Sequence, residues 1–414
     1  MRLAVVSPFV DRRHGTERAL AELLERLARD YHCAIHLYSQ RVEDLALDQN
    51  RADSKTDGSA APGAHQRGEI IWRKVPSIPG PHLLQFLFWL AANTFLRRWD
   101  RAIHGAHFDL VLSLGINCFD ADVVLIHALF HRLRELASSE ADSPVQAGLF
   151  RRLHRLAYYS LLTWLERRAY TNPKVSLGAV SQRTAALLKQ HFGREDVRVI
   201  PNGVDATHFS PAKRLALRAQ ARSRRHFQDT DLVLLLIGND WRNKGLSTIL
   251  AAMAACPEIP LRLLVAGKDA AAPFFLESAQ KLGLTPHCRW ETASVDAIEL
   301  YAAADVYVSP TQEDAFALPP LEAMACGLPI ITTSQNGGSQ IITGNVDGFV
   351  LSDPNDTAAL ARHLKSLQYP ALRNRIGENA AKTAQNYTWD RHAAAVYELL
   401  NDAISRRSRF ASQS

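Results

Sequence analysis

Cysteine is scarce in this 414-residue chain, and none of the five (Cys33, Cys118, Cys256, Cys288, Cys326) belongs to a C-x-x-C pair. Scattered thiols in odd number argue against a disulfide framework and a zinc site, and for a reducing cytosol. No stretch approaches ~20 uninterrupted apolar residues, so no membrane-spanning helix is expected. The apolar start, Leu3 to Val6 directly after Met1-Arg2, is too brief for a signal-peptide core. No G-x-G-x-x-G follows the first strand, which weighs against a nicotinamide dehydrogenase. The basic residues show no RNA-binding or helix-turn-helix signature, so nucleic acid is not an expected partner.

What the chain does have is enough apolar residue for two cores. An apolar fraction of 47% and a charged fraction of 22% are those of a globular protein, and the length suits two domains of ordinary size. The net charge of +6 sits wholly in the first half: residues 1–200 hold 27 Lys+Arg against 21 Asp+Glu, and the rest hold 21 of each. Such an excess attracts an anionic partner, either an acidic acceptor or a membrane surface. Two segments favour the membrane. His82 to His104 is an apolar, aromatic run ending in Arg97, Arg98 and Arg101, and Phe150 to Tyr170 has arginines at both ends of an aromatic middle. Each reads either as a helix lying in a bilayer interface or as a helix covering a sheet with its arginines solvated.

Strand-like and helix-like segments alternate along the chain. Leu3 to Ser7 is a short buried strand, and Thr16 to Asp30 places Ala19, Leu20, Leu23, Leu24, Leu27 and Ala28 on one helical face. Leu110–Leu114, Val123–Ile126 and Val175–Val180 are further strands, while Asn50 to Gly68, poor in large apolar residues, reads as a surface loop or insertion. A turn-rich link, Val199 to Pro211, divides the halves. The pattern then restarts with strands at 232–237, 261–266, 306–309 and 329–333 and helices at 246–256, 295–304 and 318–325. Apolar strands alternating with helices imply parallel sheets covered on both faces, with ligands at the carboxyl ends of the strands. Asn386 to Arg407 reads as a closing amphipathic helix.

The richest motif is EDAFALPPLEAMACGLP, Glu313 to Pro329. Asp314 ends a strand-to-helix loop and Glu322 follows eight residues later, early in the helix that Pro319 and Pro320 start and Gly327 ends. The N–H groups of Phe316, Ala317 and Leu318 are expected to lie exposed at that helix start, ready for phosphate or sugar oxygens. A carboxylate matches a vicinal diol, so Glu322 would hold ribose hydroxyls and Asp314 the transferred sugar. IGNDWRNKG, Ile237 to Gly245, runs from a strand end into a loop that carries Arg242 and Lys244. Gly15, ending the loop before the helix that begins near Thr16, would let the backbone approach phosphates or is a simple turn glycine. Asp120-Ala121-Asp122 looks like a D-x-D metal motif but precedes a first-half strand, away from these motifs, and is read as a loop.

Acid-x7-acid followed by A-M-A-x-G-x-P resembles the retaining family-4 glycosyltransferases of the GT-B fold, where the signature is usually Glu-x7-Glu around G-F-G-L. This chain has Asp314 in the first acidic position and A-F-A-L inside the motif. Its loop before Gly245 is similar to that of lipopolysaccharide core glucosyltransferases, and the resemblance implies that Arg242 and Lys244 there balance the charge that a leaving diphosphate gains, although Asn239 stands where many members carry the arginine. The resemblance implies an α/β chain with two facing Rossmann-like domains and a deep interdomain cleft. Residues 1–200 would be the acceptor-binding domain, with the helix of 386–414 crossing back onto it, and residues 205–385 the nucleotide-sugar donor domain. It further implies that His127 hydrogen-bonds the transferred sugar (with His131 as a rival), that Lys244 grips the donor diphosphate, and that no cofactor or metal is needed. The implied reaction is retaining transfer of a hexose from a nucleotide-diphosphate sugar to a glycolipid, lipopolysaccharide core or polysaccharide at the cytoplasmic membrane face, by an enzyme that is cytoplasmic or peripheral there. A non-catalytic nucleotide-sugar-binding protein, or a phosphorylase or epimerase on the same fold, are the alternatives.

Overall fold

A computed structural model describes residues 1–47, 68–139, 149–292 and 297–411, and it falls into two units. All but the last residue of the loop read at Asn50 to Gly68, and the first two residues of the helix read at 295–304, lie outside the described residues. The first unit comprises Met1–Ile200 with His392–Ser414, and the second Pro201–Arg391.

In the first unit the elements run β1 (Arg2–Val6), β2 (Phe9–Val10), α1 (Gly15–Arg29), β3 (Ala34–Ser39), β4 (Arg41–Val42), β5 (Glu69–Lys74), α2 (His82–Ile103), β6 (Leu110–Leu114), β7 (Val123–Ile126), α3 (Phe130–Ser139), α4 (Leu149–Tyr170), β8 (Ser176–Ala179), α5 (Gln182–Phe192) and β9 (Val197–Val199). Seven strands pair in parallel in the order β5-β3-β1-β6-β7-β8-β9. Alternate residues of β1 serve opposite faces, as the period of two requires. Leu3 and Val5 pack with the apolar side of α1, while Ala4 and Val6 pack with residues of α2 and α4. The closing helix α13 (Trp389–Ala411) adds Ala393, Val396 and Leu400 to the α1 side, although it starts three residues later than the sequence pattern suggested. Thr388, just before it, is held instead in a bridge to Val204.

The second unit repeats the plan: α6 (Pro211–Arg224), β10 (Leu232–Ile237), α7 (Leu246–Ala254), β11 (Leu261–Ala266), α8 (Ala272–Lys281), β12 (Cys288–Glu291), α9 (Ala297–Ala303), β13 (Val306–Val308), α10 (Leu318–Ala325), β14 (Ile330–Thr333), β15 (Phe349–Leu351), α11 (Thr357–Leu367) and α12 (Pro370–Ala384). Its six parallel strands run β12-β11-β10-β13-β14-β15. β10 and β13 are buried throughout but for the last residue of β10, which is why they read as unbroken apolar runs. Each unit is thus a Rossmann-like α/β layer structure whose strand order reverses beside its first main strand, between β1 and β6 and between β10 and β13.

The arginines of α2 do not all behave as the sequence implied. Arg97 faces neither lipid nor water: it is buried, 2.7 Å from Asp120 and hydrogen-bonded to Asn93. Asp120 is therefore a structural partner, and Asp122 accepts from the Val111 N–H at 2.8 Å. Among the described residues no helix is long and apolar enough to cross a membrane.

Candidate active site

The strand-order reversal of the second unit puts two loops side by side: one after β10, carrying Lys244, and one after β13, carrying Asp314. Their contact is direct. Lys244 Nζ donates to Asp314 Oδ2 at 2.5 Å, with both side chains largely sheltered from solvent. Sheltering matters because the field between such charges is less screened than at an open surface.

Asn243 holds the two loops in register. Its Nδ2 donates to the Glu313 carbonyl at 2.9 Å, its Oδ1 accepts from the Glu313 N–H at 3.0 Å, and its own carbonyl accepts from the Gln312 N–H at 2.7 Å. The glycine two positions on turns the chain: Gly245 has φ of +77°, and a Cβ there would sit 2.2 Å from the Pro310 carbonyl oxygen. Only glycine lets the lysine loop press against the β13 loop this closely. Asn239 ties the loop to its other neighbour by accepting from the Lys268 N–H at 3.0 Å. Trp241 is core, its ring beside Trp290 and Phe275. Arg242 is exposed with its guanidinium over the Phe274 ring, and among the described residues no hydrogen bond joins it to the Lys244–Asp314 pair.

The start of α10 differs from the expectation. The N–H of Phe316 is taken by Asp314 Oδ1 at 3.0 Å, and that of Ala317 by Asn336 Oδ1 at 3.3 Å. Two of the three amides expected to await a ligand are therefore capped by side chains, because a buried N–H left without water must find an acceptor within the protein. Leu318 opens the helix, with Pro319 and Pro320 in its first turn, and Gly327 ends it at φ of +73°. Glu322 faces inward: it is 3% exposed, and Tyr301 Oη donates to its Oε2 at 2.7 Å and to the Pro319 carbonyl at 3.2 Å. Tyr301 thus orients the carboxylate from α9. On the expectation that Glu322 holds the ribose of a donor, Tyr301→Phe should weaken donor binding about fivefold, since one hydrogen bond to a charged group contributes about 1.5–3 kcal/mol and part of it is recovered by rearrangement; isothermal calorimetry with the donor checks this, and unchanged affinity would remove the tyrosine from the site.

In the first unit, Gly15 is the first residue of α1 and is exposed. The loop before it is organised by buried Asp11, which accepts from the Arg13 and His14 N–H groups at 2.8 and 3.0 Å and lies 3.0 Å from His14 Nδ1. Burial opposes ionisation of Asp11, but His14 and the two amides prevail and hold its carboxyl below the usual range. His127 follows β7 and is half-buried. His131 is engaged elsewhere, with Nδ1 2.6 Å from fully buried Glu166, which also accepts from the Phe130 and His131 N–H groups at the start of α3. Sequence reasoning missed Asn243, Tyr301, Asn336 and Glu166, which act through partners 18 to 70 residues away.

Two Rossmann-like units with charged loops at the point of strand-order reversal define the GT-B class of fold. The chain matches the family model described as Glycosyltransferase Family 4 over residues 13–208 and the one described as Glycosyl transferases group 1 over residues 218–383. It belongs to the family-4 glycosyltransferases of the GT-B fold. It is similar to the D-inositol 3-phosphate glycosyltransferase of Salinispora arenicola, 31% identical over 225 residues that make up 50% of each chain; the chain spans about half the length of the curated relatives it matches. Among solved structures, WaaG, a glycosyltransferase involved in lipopolysaccharide biosynthesis, shares the fold with a TM-score of 0.71 at 21% identity, over 97% of this chain and 98% of WaaG. Anabaena Alr3699/HepE, solved in complex with UDP-glucose, does so with a TM-score of 0.64 at 19% identity, over 97% of this chain and 100% of that one.

Proposed function

We propose that this chain is a retaining hexosyltransferase that takes its sugar from a nucleoside-diphosphate donor held by the second unit. The observation that carries the reading is the Lys244–Asp314 pair on the loops that follow β10 and β13, the second of which leads into α10 with its inward Glu322. In this reading Lys244 neutralises the diphosphate as the glycosidic bond breaks, Asp314 takes sugar hydroxyls and Glu322 the ribose diol. When a donor binds, Lys244 exchanges one anion for another, and sugar hydroxyls donate to Asp314 in place of the ammonium. Arg242 adds positive charge at the edge of the same loop, and Leu318 keeps the one amide of the three that no described side chain caps. From the first unit, Gly15 would admit a phosphate to the backbone at the start of α1, and His127 would hydrogen-bond the transferred sugar. The lysine supplies the charge that a metal supplies elsewhere, so transfer is expected to persist in excess EDTA.

The proposed acceptor is a glycolipid, lipopolysaccharide core or polysaccharide at the cytoplasmic membrane face, with the basic first unit meeting anionic lipid. Co-sedimentation with anionic vesicles should then fall as salt rises, and salt-insensitive binding would contradict the electrostatic part. A panel of nucleotide sugars screened by thermal shift tests the donor assignment, because binding to the folded state appears as stability. An inositol phosphate belongs among the acceptors tried, given the similarity to the Salinispora enzyme. Glu322→Ala should abolish the thermal shift given by the best donor; a shift of wild-type size would contradict its ribose role.

A further inference from the structure

A cavity of about 240 Å³ opens in the first unit, on the sheet face covered by α2 and α4 and toward the strand ends away from Gly15 and His127. Apolar side chains form part of its lining: Ile116, Cys118 and Ala121 from the β6–β7 connection, Val124 from β7, Leu165 from α4, and Val175 just before β8. Burial pushes the Cys118 thiol up to about 11, so the sulfur stays neutral at physiological pH and the floor carries no charge. Arg168 and Asn172 line it too, with Phe119 beside them, 57% exposed.

Among the described residues, Arg168 is the one cation of this lining. Its guanidinium lies 5.9 Å from the ring centre of Trp164, itself 54% exposed, and no carboxylate pairs with it among the described residues. Of the two acids on the same connection, Asp120 is already paired with Arg97, and Asp122 accepts from the Val111 N–H and lies 3.6 Å from Arg407. The Arg97–Asp120 pair ties α2 to the cavity's connection, and α2 turns Phe95, Trp99 and Ile103 outward, with Arg98 and Arg101 exposed between them. An apolar stretch of wall beside a polar one, aromatic side chains at the surface and an arginine with no acid partner among the described residues match a molecule with an apolar body and an anionic end.

We infer that this cavity binds one acyl chain of an anionic amphiphile, with the anionic group on Arg168 and the chain against Cys118, Val124 and Leu165. The source is a lipid of the bilayer surface that the outward apolar residues of α2 and α4 meet; a free fatty acid has the same chemistry. The choice of source rests on the membrane reading above, whereas the site itself does not, and neither depends on the donor-binding loops.

The test uses the full chain, with laurate and neutral dodecanol followed by calorimetry and vesicles of phosphatidylcholine with or without phosphatidylglycerol followed by co-sedimentation. Wild type should bind laurate, Arg168→Gln should bind it at least tenfold more weakly with dodecanol little affected, and Ala121→Trp, which fills the cavity, should bind neither. Leu165→Phe, a smaller filling, serves if Ala121→Trp melts early. Phosphatidylglycerol vesicles should retain wild type and lose both variants. Laurate binding that is absent from wild type, or equal in wild type and both variants, overturns the site. Laurate binding that obeys the variants while vesicle binding ignores them overturns the bilayer as source. Salt-sensitive vesicle binding without any laurate site leaves the membrane reading standing and removes the cavity.

Discussion

Replacing Lys244 with alanine is expected to lower turnover by about two to three orders of magnitude while changing KM for the donor far less. The reasoning is differential. A cation that meets more negative charge in the transition state than in the ground state acts chiefly on kcat, and removing one preorganised group of this kind costs about 2.7–4 kcal/mol. The geometry supports the upper part of that range: the ammonium is sheltered, fixed 2.5 Å from Asp314, and its loop is pinned by Asn243 and by the Gly245 turn against Pro310. Steady-state kinetics over a donor series decide the matter. A rise in KM with kcat preserved would assign Lys244 to ground-state binding, and wild-type kinetics would remove it from the mechanism. Asn243→Ala offers a graded companion, since it releases the loop without deleting the charge.

The second large effect concerns stability. Asp305, just before β13, is buried and accepts from Arg218 at 2.6 Å, from Arg222 at 3.0 Å and from the Val233 N–H at 2.9 Å. Arg222, equally buried, also donates to the Asp231 carbonyl at 2.9 Å, so the network joins α6 to β10 and β13. Asp305→Ala would leave Arg222 buried without its carboxylate, a loss of about 3–5 kcal/mol. Denaturant titration of the second unit's transition measures it, and a loss below ~1 kcal/mol would show that water or the carbonyls replace the carboxylate.

The same residue gives a pH signature. Burial works against its ionisation, but Arg218, the Val233 N–H and Arg222 outweigh it and hold the carboxyl below its usual value. A depressed folded pKa contributes stability above the ordinary aspartate range of about 4, and that stability is lost as pH falls through the folded value. Wild type should therefore destabilise more steeply than Asp305→Ala on acidification below about pH 4. Parallel acid curves would place the acid-sensitive group elsewhere.

Much of the fold was legible because the signals are local. β10 and β13 are short apolar runs with helices after them, and α1 shows its buried face at helical spacing. The acidic motif was legible for a related reason: seven residues stand between Asp314 and Glu322, and the Pro-Pro start and Gly327 end of α10 bracket the second acid. Arg97 was misread because a helical arginine near an aromatic run carries no local sign that Asp120, 23 residues on, will claim it. The amides at Phe316 and Ala317 were misread likewise, since Asn336 caps one of them from a loop beyond β14.

Composition, periodicity and turn chemistry by themselves determined two parallel-sheet units, the turn-rich link of Val199 to Pro211 and the place of both acids and the lysine in the second half. Those depend on side-chain size and on backbone conformations set within a few residues. Tertiary structure alone decided which charges meet: Lys244 with Asp314, Glu322 with Tyr301, Arg97 with Asp120, Arg222 with Asp305. Attraction falls off over a few ångströms in a screened medium, so a charge's partner is fixed by which loops the strand order brings together and not by distance along the chain.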